Sequence, residues 1–247
     1  MMEQKLKKRA GYRFTKDIVE QLGGMIVRGD VQAGGSLPIE ADLAAQFNAS
    51  RTIVREAVKM LTAKGLVGSR PKRGTYVEPE SNWNLLDPDV LRWTLQQSYS
   101  LSLVRDFLIL RLAIEPVAAR EAAGLAGPAE LEKIKAALDE MGADHCDADK
   151  SLAADIAFHV AILHASGNRF LYQFSAMIET ALRFSIRATD LSKGVFGPDI
   201  AEHAAIYDAI KKGDGDAAAA AIRSLLEDAV YLIDRLDASS SKMAGAA

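Results

Sequence analysis

The chain has 247 residues, 49% hydrophobic and 26% charged, with four histidines, one cysteine and a formal net charge of −3. That length suits two domains with a sizeable core, and no apolar run approaches the ~20 residues of a membrane span. No apolar segment follows the basic N-terminus as in a signal peptide, and the single Cys146 excludes an internal disulfide framework, so a cytoplasmic protein is expected.

The charge is uneven. Residues 1–80 carry 14 Lys/Arg against 9 Asp/Glu, and residues 81–247 carry 16 against 24. A basic first third on an acidic body points to a polyanionic partner, unless the imbalance is ordinary fluctuation.

Residues 1–10, MMEQKLKKRA, are basic and aperiodic and predict a flexible arm. A helix is expected over residues 15–28, with Thr15 as N-cap and Ile18, Leu22, Met25 and Ile26 at helical spacing. Turn residues follow, Gly29-Asp30 and Ala33-Gly34-Gly35-Ser36.

A second helix is expected over residues 38–47, with Pro38, Glu40 and Asp42 at its N-terminal end. Asn48-Ala49 makes a turn, and Ser50 caps a third helix over residues 51–63 that ends at Gly65. On this third helix Val54, Ala57, Val58 and Leu61 fall on one side. Arg51, Thr52, Arg55 and Lys59 form a polar stripe on the other. Such a stripe is commonly a solvated face. Two short helices joined by a tight turn, the second led by Ser-Arg-Thr, instead match a helix-turn-helix, whose recognition helix presents its first residues to base edges.

Next, Leu66-Val67 and Thr75-Tyr76-Val77 read as two short strands. Arg70, Lys72 and Arg73 crowd the turn between them, and Gly74 permits close backbone approach. This predicts a cationic wing. Residues 79–99 read as a linker and a docking helix that joins the two domains, with Asp87 as N-cap and Pro88 at its first turn.

Beyond residue 100 no strand signal occurs. Helices are expected over 101–124, 128–141, 147–166, 169–191, 198–212 and 216–236, joined by short Gly, Asn or Pro connections. The tail from 238 to 247 is Ser/Ala-rich and reads as disordered. The expected fold is mainly α: an N-terminal winged helix-turn-helix (11–78) with a small β-hairpin wing, then a C-terminal all-α antiparallel helical bundle (100–237).

The segments LPIEADLAAQF, SRTIVREAVKML and GLVGSRPKRGTYV resemble the winged helix-turn-helix of the GntR family of bacterial transcription regulators. RLAIEPVAAREAA, DIAFHVAILHASGN and EHAAIYDAIKKGDGDAAAAAI resemble the ligand domain of its FadR branch. NWNLLDPDVLRW is similar to the corresponding stretch of galactonate-operon repressors and related sugar-acid regulators. The resemblance implies that Arg51, Thr52 and Arg55 meet an operator and that Arg73 and Gly74 enter the minor groove. Lys59 and Lys72 extend that basic surface. Ala41 stands where many relatives carry arginine, which implies a shifted operator preference.

The resemblance also implies a divalent metal (Zn, Ni or Mn) held by an aspartate and three histidines. Here the pattern supplies Asp155 and His159, at i and i+4, together with His203. Leu225 occupies the expected third histidine position, which implies weakened affinity. The alternative is a hydrogen-bonded polar cavity without metal. An acidic effector would need donors, for which Arg111, Asn168, Arg183 and Arg187 are candidates. Arg111 could equally form a buried structural pair with Glu115, one turn on, and Arg183 and Arg187 could line a solvated face.

The function expected from these readings is a homodimeric repressor of a sugar-acid operon. It would bind a palindromic operator and be released by a galactonate-like hydroxy-carboxylate, with lactate or a hexuronate as alternative effectors. A metalloenzyme using Asp155, His159 and His203 as a facial triad, or a ligand-free architectural DNA binder, are the competing classes. No nucleophile-base pair or phosphate loop supports an enzyme.

Overall fold

The computed structural model describes residues 2–72, 74–97, 101–143, 148–193 and 199–244, with side chains described outside 2–12, 185–193 and 239–244. Two compact units divide the chain, Met1–Ser98 and Tyr99–Ala247.

The first unit runs α1 (Met2–Val27), α2 (Glu40–Gln46), α3 (Arg51–Ala63), β1 (Val67–Arg70), β2 (Gly74–Val77), a 3-10 turn (Glu80–Asn82) and α4 (Pro88–Gln97). The strands form an antiparallel hairpin with Val67 opposite Val77 and Arg70 opposite Gly74. The segment expected to be only a turn also pairs with the hairpin: Gly34 N–H donates to the Val77 carbonyl and Leu37 N–H to that of Thr75. Ile18, Leu22, Ile26, Leu43, Val54, Ala57, Leu61, Leu66 and Val77 form one buried core. This is how the apolar side of α3 anchors the helix while its polar side faces out.

Two sequence expectations change here. The basic segment read as a flexible arm is helical from Met2, which puts Thr15 inside α1, buried, rather than at its N-cap. Residues 2–9 are mostly good helix formers, so nothing stops the helix from propagating through them. The helix expected to join the domains, α4, packs on α1 within the first unit. Trp93 lies against Gly23, where an added Cβ would sit 2.4 Å from the ring. Its Nε1–H donates to Glu20 Oε1 at 2.9 Å, and Arg92 pairs with Glu20 at 2.6 Å. Lys64, the C-cap residue of α3, pairs with Asp87 at 2.7 Å and Asp89 at 2.8 Å. Burial opposes charge on Lys64, but the two carboxylates outweigh it and raise the ammonium above its usual range.

The second unit comprises α5 (Leu101–Leu125), α6 (Pro128–Met141), α7 (Ala148–Ala165), α8 (Arg169–Gln173), α9 (Ser175–Lys193), α10 (Ile200–Lys212) and α11 (Gly215–Ala244). Helix α7 packs against α5, α6, α8 and α9, and buries residues on most of its circumference. Helix α5 packs against α7, α9, α10 and α11. The single helix expected over 169–191 is two, broken at Phe174, with no Gly or Pro there to mark the break. The tail read as disordered continues α11 to Ala244.

Gly65 follows the α3 C-cap at φ +76°, and a Cβ there would meet the Asn82 carbonyl oxygen at 2.3 Å. Strain in the left-handed region and backbone overlap act together. Gly65→Ala is expected to destabilise the first unit by about 2 kcal/mol or more, read as a lower urea midpoint with an unchanged slope.

Candidate nucleic-acid interface and buried Asp-His-His centre

The α2–α3 turn is built from Asn48, at φ +47°, and Ser50, whose Oγ accepts from Ile53 N–H. This starts α3 so that Arg51, Thr52, Arg55 and Lys59 are all exposed, while Val54, Ala57 and Leu61 are buried. The expected stripe is therefore a surface feature. Within it Lys59 pairs with Glu56 at 2.9 Å. Arg55 pairs with Glu40 of α2, through Nη2 to Oε2 at 2.9 Å and Nε to both carboxylate oxygens at 3.2 Å. The sequence marks Glu40 only as an acidic residue at a helix N-terminus; its pairing with Arg55 is not legible there, because the two lie 15 residues apart and no local periodicity links them.

In the wing, Lys72 is exposed at φ +64° and Gly74 sits at φ +80°. The guanidinium of Arg70 lies 4.8 Å from the Tyr76 ring centre, a cation–π contact that bends it over its own hairpin. Arg73 lies outside the described residues.

The second site is inside the helical unit. Asp155 and His159 project from α7 and His203 from α10, all buried. Asp155 Oδ1 lies 3.2 Å from His159 Nε2 and 3.3 Å from His203 Nε2. Among the described residues neither Asp155 Oδ1 nor His203 Nε2 has a hydrogen-bond partner. His203 Nδ1 lies 2.7 Å from the Asp199 carbonyl oxygen. A carbonyl only accepts, so Nδ1 carries the proton, and in the neutral ring Nε2 turns a lone pair toward a carboxylate oxygen. Either a proton on Nε2 or a cation between the two atoms would satisfy this approach. Atoms bound ~2.0–2.1 Å from a tetrahedral ion lie ~3.3 Å apart, which the two Asp155–histidine spacings match. The three residues could therefore hold a metal, and among the described residues they form the one such group. Leu225 is half-buried on α11 and supplies no ligand atom.

Behind His159 stands Glu115 of α5, with Oε2 2.7 Å from Nδ1, an ion-pair distance without hydrogen-bond alignment. Arg111 holds the same carboxylate through Nε and Nη2. Burial alone would raise Glu115; Arg111 and His159 override it and hold the carboxyl at about 2. Burial likewise works against an ionised Asp155, but the two histidines keep it well below the usual carboxylate range. Burial disfavours a charged His159, yet Glu115 and Asp155 raise it above its ordinary value. Phe158, fully buried, stands edge-on to both imidazoles and helps to exclude water.

Two of the other expected effector residues, Asn168 and Arg183, have partners of their own. Asn168 caps α8, accepting from Phe170 N–H and Leu171 N–H. Arg183 is exposed and pairs with Glu179 at 3.2 Å. The Arg187 side chain, His145 and Cys146 lie outside the described residues. His164 meets Tyr172 edge-on, with ring centroids 4.4 Å apart, and is not part of the cluster.

A winged helix-turn-helix with an exposed cationic stripe, followed by a unit that is helical among its described residues, places the chain in the class of two-domain DNA-binding regulators. Residues 14–77 match bacterial regulatory proteins of the gntR family, and residues 106–228 match the FCD domain. The galactonate operon transcriptional repressor of Escherichia coli K12 is 38% identical over 213 residues, covering 86% of this chain and 93% of that one. The HTH-type transcriptional regulator LutR of Bacillus subtilis 168 is 33% identical, covering 80% and 91%. The solved structure of Lar, which controls the Listeria monocytogenes agr system, shares the fold at TM-score 0.58 and 19% identity, covering 90% of this chain and 97% of that one. The chain belongs to the GntR family of bacterial transcription regulators, with an FCD domain. It is a DNA-binding regulator, not an enzyme. Among the described residues no helix is long and apolar enough to cross a membrane.

Glu115→Gln leaves Arg111 and His159 without their shared counter-charge, and at pH 7 is expected to cost the helical unit about 3–5 kcal/mol. The folded carboxyl lies at about 2 against 4.5 for the free group. The wild-type advantage is therefore complete above pH 4.5 and is lost as pH falls toward 2. Urea unfolding of both proteins across that range checks the size and the sign.

Proposed function

We propose that this regulator represses a sugar-acid catabolic operon and leaves its operator when a small hydroxy-carboxylate of the galactonate type enters the helical unit. The exposed Arg51, Thr52, Arg55 and Lys59 stripe carries the DNA half of this reading. Arginine forks suit the O6 and N7 acceptors of guanine, and Lys72, Arg73 and Gly74 would extend the contact along the wing. A palindromic operator presents half-sites about one turn, ~34 Å, apart, so a homodimer would set one recognition helix in each. The name of the Escherichia coli relative, a galactonate operon repressor, supports the choice of effector class.

Asp155, His159 and His203 would hold a divalent ion, Zn²⁺, Ni²⁺ or Mn²⁺. When bound, such an ion supplies an open, Lewis-acidic position for a carboxylate or hydroxyl oxygen. Leu225 leaves the protein one ligand short of the family pattern, so binding is weaker. Arg111 would orient Glu115 behind His159 and offer its remaining donors to an acid group. Asn168, Arg183 and Arg187 are proposed as outer effector contacts. The effector acts by binding one arrangement of the protein better than the other.

Two measurements test this. A mobility-shift assay on the gene's own upstream region, with galactonate, other hexonates, hexuronates and lactate, should show release by a hexonate. Release by lactate alone moves the effector to a different acid class, and release by none rejects the assignment. Arg51→Ala is expected to lower specific affinity by at least tenfold. Separately, Zn²⁺ at a hundred times its Kd should stabilise the wild type by about 2.7 kcal/mol and leave Asp155→Ala and His203→Ala unmoved. An unchanged wild-type melting curve with Zn²⁺, Ni²⁺ and Mn²⁺ rejects the metal.

A further inference from the structure

We propose that Glu40 is a positioning residue of the recognition surface: it holds Arg55 side-on, so that the free, end-on edge of the guanidinium is presented to a guanine in the major groove. This rests on the reading of α3 as the recognition helix and adds to it a residue on a different helix.

The geometry is specific. The Glu40 carboxylate takes Nε–H and one Nη2–H of Arg55. The Nη1 donors and the outer Nη2–H are left over, and these form the end-on pair of the fork. Two parallel donors at that edge match the O6 and N7 acceptors of guanine. An unrestrained arginine would lose much rotamer freedom on docking, whereas a tethered one has lost part of it before DNA arrives.

A purely structural role fits poorly. The pair is open to solvent, with the side chains 59% and 37% exposed, and exposed pairs contribute little to stability. The α2–α3 packing rests on Leu43, Ala44, Val54 and Ala57 instead. A carboxylate beside a polyanion also repels phosphates, so Glu40 lowers non-specific affinity. What it returns is orientation. The Lys59–Glu56 pair differs, being a local i, i+3 contact within α3. Arg55 is tied across the turn to the first residue of α2, so its direction is set by the helix-turn-helix itself.

The test uses the full chain in five forms: wild type, Arg55→Ala, Glu40→Ala, Glu40→Gln and the Glu40→Ala/Arg55→Ala double variant. Each selects duplexes from a random-sequence pool, and affinities for the selected wild-type duplex and for a mixed-sequence duplex are measured at one salt concentration. Arg55→Ala should lose the preference for one G·C pair per half-site. Glu40→Ala should lose discrimination at that same pair by about tenfold, while its affinity for the mixed duplex holds or rises. Glu40→Gln, which keeps an acceptor oxygen without the charge, should fall between, and it carries the test if Glu40→Ala does not fold. The double variant should match Arg55→Ala at that pair. Two outcomes overturn the proposal: Glu40→Ala and Glu40→Gln keeping the wild-type preference there, or both weakening every duplex alike, as loss of a phosphate contact or of the fold would. If Arg55→Ala itself changes no position, the recognition role of Arg55 fails first, and that result is distinguishable from failure of Glu40 alone.

Discussion

A carboxylate buried in a helical bundle must be neutralised where it stands, because the surrounding side chains cannot solvate it. Two such groups, Glu115 and Asp155, lie in the core of the second unit. Glu115 meets Arg111 on its own helix and His159 across the α5–α7 contact. Asp155 meets His159 on its own helix and His203 across to α10. His159 is the link between the two carboxylates, so three helices meet in one polar cluster. Removing Arg111, Glu115 or Asp155 would leave a buried partner uncompensated, which is costly in a packed core.

The first unit solves the opposite problem. Its core is apolar apart from Thr15 and Lys64, and the cations of α3 and of the wing tip lie on its surface. Burying Val54, Ala57 and Leu61 fixes the rotation of α3, and that alone decides that Arg51 and Arg55 face outward. The Ser50 cap and the positive φ at Asn48 set where the helix begins.

Most of this organisation was legible in the sequence. The α3 stripe, the hairpin and the Asp155/His159 spacing follow from local periodicity, and α6 falls on the residues expected for it, 128–141. What stayed hidden depended on partners distant along the chain. Glu40 and Arg55 are 15 residues apart, and Arg92 and Glu20 are 72. The seat of α4 follows from Gly23 being small enough to admit Trp93, a fact of packing rather than pattern. The Arg111–Glu115 pair could be read at one-turn spacing, but its contact with His159 could not. The break between α8 and α9 carries no breaker residue and leaves no local trace.

Lys64 closes the C-terminal end of α3 and is gripped by Asp87 and Asp89 at the entry to α4, while Trp93 clamps the other side of α4 onto α1. Three helices of the first unit are thus tied through two side chains, so α4 is part of the packing that holds α3 in place. Shortening Lys64 or Trp93 would loosen α3 or α1 from α4 without touching the polar stripe itself.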